Sequence, residues 1–283
     1  MERTVRKVLA IVNLQKPDAG KVLEEIIGYF AAKGVEVVRY TFDDKLDEAI
    51  DDVDLAMTLG GDGTLLYSAA ALAARRVPIL AVNLGQVGFL TEVSRGEWAE
   101  AFEEYRHGRV GVSERVMLRC EVARGGRRVL EAEALNDAVI TARGSARLIH
   151  LALHLGGSNA GRYRADGVIV STPTGSTAYA MAAGGPILHP EMEAFVLIPI
   201  CPYTLSDRPL VVPAHERIEI EVEPSRRAEV TLTLDGQRAC DLEPGDRVGY
   251  SMGREKCAII RSDRRNFYEV LRSKLNWAGE PNA

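Results

Sequence analysis

The sequence predicts two structural classes in one chain: an α/β domain on a parallel sheet, followed by a β-rich domain. Three observations carry this expectation. Continuously apolar runs alternate with helical patterns early in the chain, and near residue 110 the pattern changes to short β-rich segments separated by glycine turns. The 283 residues, 46% hydrophobic and 27% charged, are enough to bury one large core or two smaller ones.

Val8–Val12 is a continuously apolar run ending in the polar, Pro- and Gly-containing stretch Asn13–Gly20, as expected of a strand buried on both faces. Val22, Leu23, Ile26, Ile27 and Phe30 recur at helical spacing, and Gly34 is a stop signal. Val35–Tyr40 reads as a second strand and Asp54–Leu59 as a third, cut off at Gly60; a helix through Leu65–Ala74 and a strand over Val77–Asn83 follow. Val116–Val139 and Ile218–Ile260 are β-rich, with turns at Arg124-Gly125-Gly126, Asp235-Gly236 and Glu243-Pro244-Gly245. Asn266–Leu275 returns to helical spacing.

Net charge is −5, from 35 basic and 40 acidic side chains, so no basic excess points to nucleic acid. Cys120, Cys201, Cys240 and Cys257 are widely spaced and lack the CxxC pattern of a zinc site or the density of a disulfide framework. The five histidines are scattered, and no metal-ligand cluster or Ser/His/Asp triad is readable. The apolar run after Lys7 is too short for a secretory signal, and no stretch approaches the roughly 18 apolar residues of a membrane span. A cytoplasmic protein is expected, without nucleic-acid or membrane partners.

Three motifs could carry chemistry. Gly60-Gly61-Asp62-Gly63-Thr64 joins a strand to a helix, at the carboxyl end of a sheet where α/β proteins bind ligands. Its glycines allow close backbone approach to a phosphate, yet it is neither GxGxxG nor a P-loop. Asp62 either caps the helix or faces a hydroxyl to be activated. In the second motif, Asp166-Gly167 through Tyr179, an apolar strand runs into a Pro/Gly turn crowded with hydroxyls, with a helix expected from about Ser176. Those hydroxyls could hold ribose or phosphate oxygens, or form only turns and caps. In the third, Asn136-Asp137 interrupts the apolar run Ala134–Ile140, so one of the two should point toward whatever that sheet buries, unless a bulge accounts for both. Asp235-Gly236 reads first as a hairpin turn.

Together with Asn83-Leu84-Gly85, Gly88-Phe89-Leu90, His189-Pro190, Pro199-Ile200-Cys201-Pro202, Arg208-Pro209-Leu210, Asp235-Gly236-Gln237 and the terminal Phe267-Tyr268 to Trp277, these motifs resemble the NAD kinase family over nearly the whole chain. The resemblance implies a Rossmann-like N-terminal domain (1–110, with 261–283 packing back on it) and a β-rich NAD-binding domain (111–260). It implies phosphorylation of the 2′-hydroxyl of the adenosine ribose of NAD to give NADP, with Asp62 as the base. Gly61, Gly63, Phe89, Asn136, Asp137, Thr174, Thr177, Ala178 and Tyr179 are then expected to line the NAD site, Asp166 to hold the nicotinamide end and Arg164 to contact phosphate. Mg²⁺ or another divalent cation bound mainly through phosphates, ATP or polyphosphate as donor, and a homodimer or homotetramer complete the expectation. Lipid and sugar kinases carry a similar glycine-aspartate loop, and a non-catalytic NAD-binding regulator is a third reading. The chain departs from the family at Asp137, where Glu is commoner, and at Ala182, where some members carry Ser.

Overall fold

In the computed structural model of the chain, residues 2–41, 51–86, 88–143, 148–224 and 229–276 are described. Trp277, which ends the terminal motif, lies outside them with the rest of 277–283. The chain divides into two compact units, Met1–Glu114 with Cys257–Ala283, and Arg115–Lys256. Among the described residues no helix is long and apolar enough to cross a membrane.

The first unit begins β1 (Lys7–Val12), α1 (Ala19–Ala31), β2 (Glu36–Thr41), β3 (Leu55–Gly60), α2 (Asp62–Ala74) and β4 (Ile79–Asn83). The short β5 (Val93–Ser94), α3 (Trp98–Arg106) and β6 (Val112–Arg115) follow. β1 pairs in parallel with β2 and β3, and β3 with β4, so each connection crosses over. Val8, Ala10 and Val12 face a core shared with α1 and α3, where Phe30 and Phe102 meet edge to face at 4.8 Å. The alternate residues Leu9 and Ile11 are equally buried on the other face. α2, which sinks Leu65, Ala69 and Leu72, packs against β1, β3 and β4. Cover on both faces explains why these strands read as unbroken apolar runs.

The second unit contains β7 (Leu118–Arg124), β8 (Arg127–Ala134), β9 (Asp137–Ala142), β10 (Ile149–Leu155), β11 (Ser158–Ala165) and β12 (Gly167–Ser171). After a 3-10 turn at Thr174–Thr177 come α4 (Tyr179–Ala182), β13 (Ala194–Ile200), β14 (Leu210–Pro213), β15 (Ile218–Glu223), β16 (Val230–Leu234), β17 (Arg238–Leu242) and β18 (Arg247–Met252). Two six-stranded antiparallel sheets result, ordered β11-β10-β15-β18-β7-β8 and β14-β13-β12-β9-β16-β17. They share one apolar core, in which Ala138, Ile140, Val168 and Leu232 of one sheet meet residues such as Leu118, Leu151, Ile220 and Tyr250 of the other. The outer face of the β9 sheet carries a smaller cluster of Val139, Ile169, Val196 and Ile198 with Ala180 of α4.

The chain then re-enters the first unit with β19 (Cys257–Ile260), parallel to β4, and α5 (Phe267–Leu275). Asn266 and Glu269 form a reciprocal capping box at the start of α5. Arg265, just before it, donates to both carboxylate oxygens of Glu97 at 2.7 and 3.0 Å, and these bonds hold the Glu97 carboxyl down at about 2.

Three local readings are corrected. α2 starts at Asp62, three residues before the apolar periodicity does, and its N-cap is Gly61. The run Ala134–Ile140 is two strands, β8 and β9, broken at Leu135-Asn136. The expected helix near Ser176 is a 3-10 turn, and α4 begins only at Tyr179.

Candidate active site

The first unit builds its site at the end of β3. Gly60 has no room for a side chain, since a Cβ there would lie 2.1 Å from Thr64 Oγ1 in the first turn of α2. Asp62 is half-buried and does not cap the helix. Its carboxylate reaches across to the segment after β4. Oδ2 accepts from the Phe89 N–H at 3.0 Å, and Oδ1 accepts from the Leu90 and Thr91 N–H groups at 3.3 and 3.1 Å. The Thr91 hydroxyl donates to Oδ1 at 2.8 Å and accepts from Asn83 Nδ2 at 2.6 Å. Gly88 makes this approach possible, because a Cβ there would sit 2.0 Å from Asp62 Oδ1. Of the other expected residues, Phe89 meets Asp62 through its backbone N–H, and Gly61 and Gly63 flank Asp62 in the chain.

The second unit builds its site on the outer face of the β9 sheet. A cavity of about 470 Å³ is lined by Asn136, Asp137, Val139, Thr141, Ala178, Tyr179, Thr233, Asp235 and Gly236. Asp137, Val139 and Thr141 alternate along β9, and Thr233 pairs with Val139, so the period of the pleat presents one face to the cavity. Asp235 and Gly236 both have positive φ, 50° and 67°, as a tight hairpin turn needs. The turn has a second role, which its sequence did not reveal. The Asp235 carboxylate accepts from three consecutive backbone amides, Leu135 at 2.8 Å, Asn136 at 2.7 Å and Asp137 at 3.0 Å, and so fixes the break between β8 and β9.

This arrangement buries two carboxyl groups close together. Burial pushes the Asp137 carboxyl up to about 7, with the Asp235 charge adding to the rise. Asp235 is also raised by burial, against the three amides that favour its ionised form. A group that donates hydrogen bonds into the cavity would relieve both.

The hydroxyl-rich segment divides sharply. Thr172 Oγ1 donates to the Leu135 carbonyl at 2.5 Å, and Ser171 Oγ to the Asn136 carbonyl at 3.2 Å. Ser176 Oγ donates to the Pro173 carbonyl at 2.6 Å and accepts from the Leu188 N–H at 3.0 Å. These three hydroxyls hold the turn together. Thr177 Oγ1 has a long 3.4 Å bond to the Thr174 carbonyl. Thr174 Oγ1 and Asn136 Oδ1 are among the buried atoms that have no hydrogen-bond partner among the described residues. Buried polar atoms are normally paired, so these two are candidates for a ligand. Gly175 seals the turn onto Asn136, whose carbonyl oxygen would lie 2.2 Å from a Cβ at that position.

Arg164, Asp166, Thr174 and Thr177 are not part of this lining. Asp166 lies at the Thr141 end of β9, where its carbonyl accepts from the Ala142 N–H at 3.2 Å. The exposed Arg164 guanidinium lies over the Tyr203 ring, 4.7 Å from its centroid. Sequence reasoning did not name Thr91, Val139, Thr141 or Thr233, and it read Asp235-Gly236 first as a turn and then only as part of a family motif. Alternation from Asp137 was the available signal for Val139 and Thr141.

Residues 8–110 match the ATP-NAD kinase N-terminal domain, and residues 135–262 the ATP-NAD kinase C-terminal domain. An NAD kinase of Treponema denticola is 40% identical over 97% of this chain and 98% of its own length. One of Citrifermentans bemidjiense is 41% identical over 96% and 99%. Among solved structures, yeast NADH kinase complexed with NADH superposes with a TM-score of 0.88 at 26% identity, over 99% of this chain and 90% of that one. An NAD kinase from Archaeoglobus fulgidus in complex with ATP gives 0.78 at 27% identity, over 97% and 100%. Two domain matches in the order of the two units, with full-length relatives at this identity, place the chain in the NAD kinase family.

Proposed function

We propose that this chain transfers a phosphoryl group to the 2′-hydroxyl of the adenosine ribose of NAD, making NADP, with Asp62 as the group that accepts the hydroxyl proton. The observation that carries the reading is the Asp62 carboxylate, held in place at a strand-to-helix glycine turn without capping the helix. The 2′-oxygen attacks the terminal phosphorus of the donor. As the new O–P bond forms, the P–O bond to the donor's bridging oxygen breaks, and its electron pair leaves with the shortened donor. The hydroxyl proton passes to Asp62. Phosphoryl transfer of this kind depends mainly on positioning and electrostatic stabilisation, so no covalent enzyme intermediate is needed.

Gly61 and Gly63 offer backbone to phosphates beside Asp62, and Phe89 lines the NAD site. Asn136 and Asp137 accept from, or donate to, ribose hydroxyls, and Tyr179 and Ala178 pack on the nucleotide. Thr174 and Thr177 add hydroxyls, Asp166 holds the nicotinamide end, and Arg164 contacts phosphate. The cavity lining and the unpaired Asn136 Oδ1 and Thr174 Oγ1 support the assignment for the β9 sheet. A divalent cation such as Mg²⁺ would be held mainly through the donor phosphates, whose charge it would neutralise. The donor is ATP or polyphosphate, the active form is a homodimer or homotetramer, and the setting is the cytoplasm, which suits thiols such as Cys120 and Cys201 outside any disulfide.

The test is one assay. Purified protein is given NAD and Mg²⁺ with ATP or polyphosphate in parallel, and NADP is read with an NADP-specific dehydrogenase. NADP formation with at least one donor is expected. Labelled phosphate appearing only on lipid or sugar acceptors, or NAD binding without NADP from any donor, would overturn the proposal. Asp62→Asn should lose about 100- to 10,000-fold in kcat while keeping the parent's KM for NAD.

A further inference from the structure

We infer that Asn83 and Thr91 are positioning residues for Asp62, and that their hydrogen-bond chain reserves Oδ2 as the oxygen that takes the hydroxyl proton. The inference rests on the proposal that Asp62 is the base. The chain starts at a backbone amide, which can only donate. The Gly85 N–H donates to Asn83 Oδ1 at 2.7 Å, and this fixes which end of the Asn83 amide is oxygen. Asn83 Nδ2 then faces Thr91 Oγ1 at 2.6 Å and must donate to it. With a lone pair so occupied, the Thr91 hydroxyl turns its single proton to Asp62 Oδ1 at 2.8 Å. Direction is therefore set at every link.

Burial makes the chain rigid. Thr91 is 0% exposed and Asn83 4%, so neither side chain exchanges these partners for bulk water. Counting donors on the carboxylate shows the consequence. Oδ1 receives three, from Leu90 N, Thr91 N and Thr91 Oγ1, whereas Oδ2 receives one, from Phe89 N, among the described residues. A carboxylate oxygen has about two lone-pair sites, so Oδ1 is saturated and Oδ2 keeps room for one more hydrogen. The three amides of residues 89–91 would still hold the segment if the hydroxyl were lost, but rotation of the carboxylate would no longer be blocked from that side.

The experiment compares Thr91→Val, which keeps the shape and removes the hydroxyl, with Thr91→Ser, which keeps the hydroxyl. Thr91→Val should lower kcat about 10- to 100-fold, as for other groups that orient a reacting side chain, with KM for NAD unchanged. Thr91→Ser should recover most of the rate. Each variant is also made in the Asp62→Asn background, where the Thr91→Val loss should vanish, because a residue acting through Asp62 has nothing left to act on. Thermal unfolding of each variant reports whether the fold is intact. A Thr91→Val enzyme with parent kcat, or one whose loss persists undiminished without Asp62, overturns the inference while leaving the base in place. Full activity in Asp62→Asn itself would instead remove the underlying proposal.

Discussion

Two aspartates in the molecule do the same mechanical job with different chemical results. Asp62 gathers the amides of residues 89–91, and Asp235 gathers those of residues 135–137. Each sits at a glycine-containing turn and pins a segment remote in sequence. Around Asp62 a threonine hydroxyl joins the amides, and the carboxylate keeps an acceptor site for something else. Around Asp235 the pinned segment carries a second carboxyl, Asp137, and burial drives both groups up. An acid at a glycine turn is thus an anchor in both units. In the proposed function the first anchor serves proton transfer and the second a ligand.

The comparison breaks most visibly at Gly88. Gly88→Ala puts a Cβ 2.0 Å from Asp62 Oδ1, so the carboxylate must move by an ångström or so. A displacement of that size should lower kcat about 100-fold, measured as NADP formation at saturating substrates. A parent-like rate would show that the position of Asp62 is not critical.

The matching change in the second unit is Asp235→Ala, which leaves three amides without their acceptor. We expect a loss of about 2 kcal/mol in unfolding free energy by denaturant titration. NAD KM should rise about tenfold, the cost of a loosened Asn136-Asp137 segment, with kcat at saturation much less affected. If kcat fell instead, the division of labour between the two aspartates would be wrong.

Asp137 sharpens the contrast through pH. Its carboxyl is raised from the ordinary carboxylate range to about 7, so the fold favours its neutral form. The stability it contributes is present in full below that ordinary range and is lost as pH rises through about 7. Asp137→Asn should therefore raise the unfolding temperature relative to the parent more at pH 8 than at pH 5. If the ionised group accepts from ribose, NAD KM in the parent should fall as pH rises through 7, and the variant should show no such trend.

The smallest effects separate hydroxyls that hold the turn from those that do not. Ser176→Ala removes bonds to Pro173 and Leu188 and should cost about 1 kcal/mol of stability with little change in KM. Thr174→Val removes a hydroxyl with no intramolecular partner among the described residues, so stability should hold and NAD KM should rise.

These contrasts also mark how far the sequence could be read. The parallel sheet and the Asp62 turn were legible because strands such as β1 and β3 are buried on both faces and stop abruptly at polar or glycine residues. The Asn136-Asp137 pair stood out as polar in an apolar run, and alternation from Asp137 predicts one face of β9. The break before β9 was not legible. It depends on Asp235, about a hundred residues later in the chain. Thr91 was hidden for the same reason, since its hydroxyl has meaning only beside Asp62 and Asn83. The hydroxyls of Ser171, Thr172, Thr174 and Ser176 look equivalent in sequence, and only the folded turn, packed against Leu135, Asn136 and Leu188, sorts them.

The most direct measurement is a steady-state titration of NAD at saturating donor, run side by side on Asp62→Asn and Asp235→Ala. The account predicts that the first loses kcat at an unchanged KM and the second raises KM with kcat largely kept. Loss of the same kinetic parameter in both variants would contradict it.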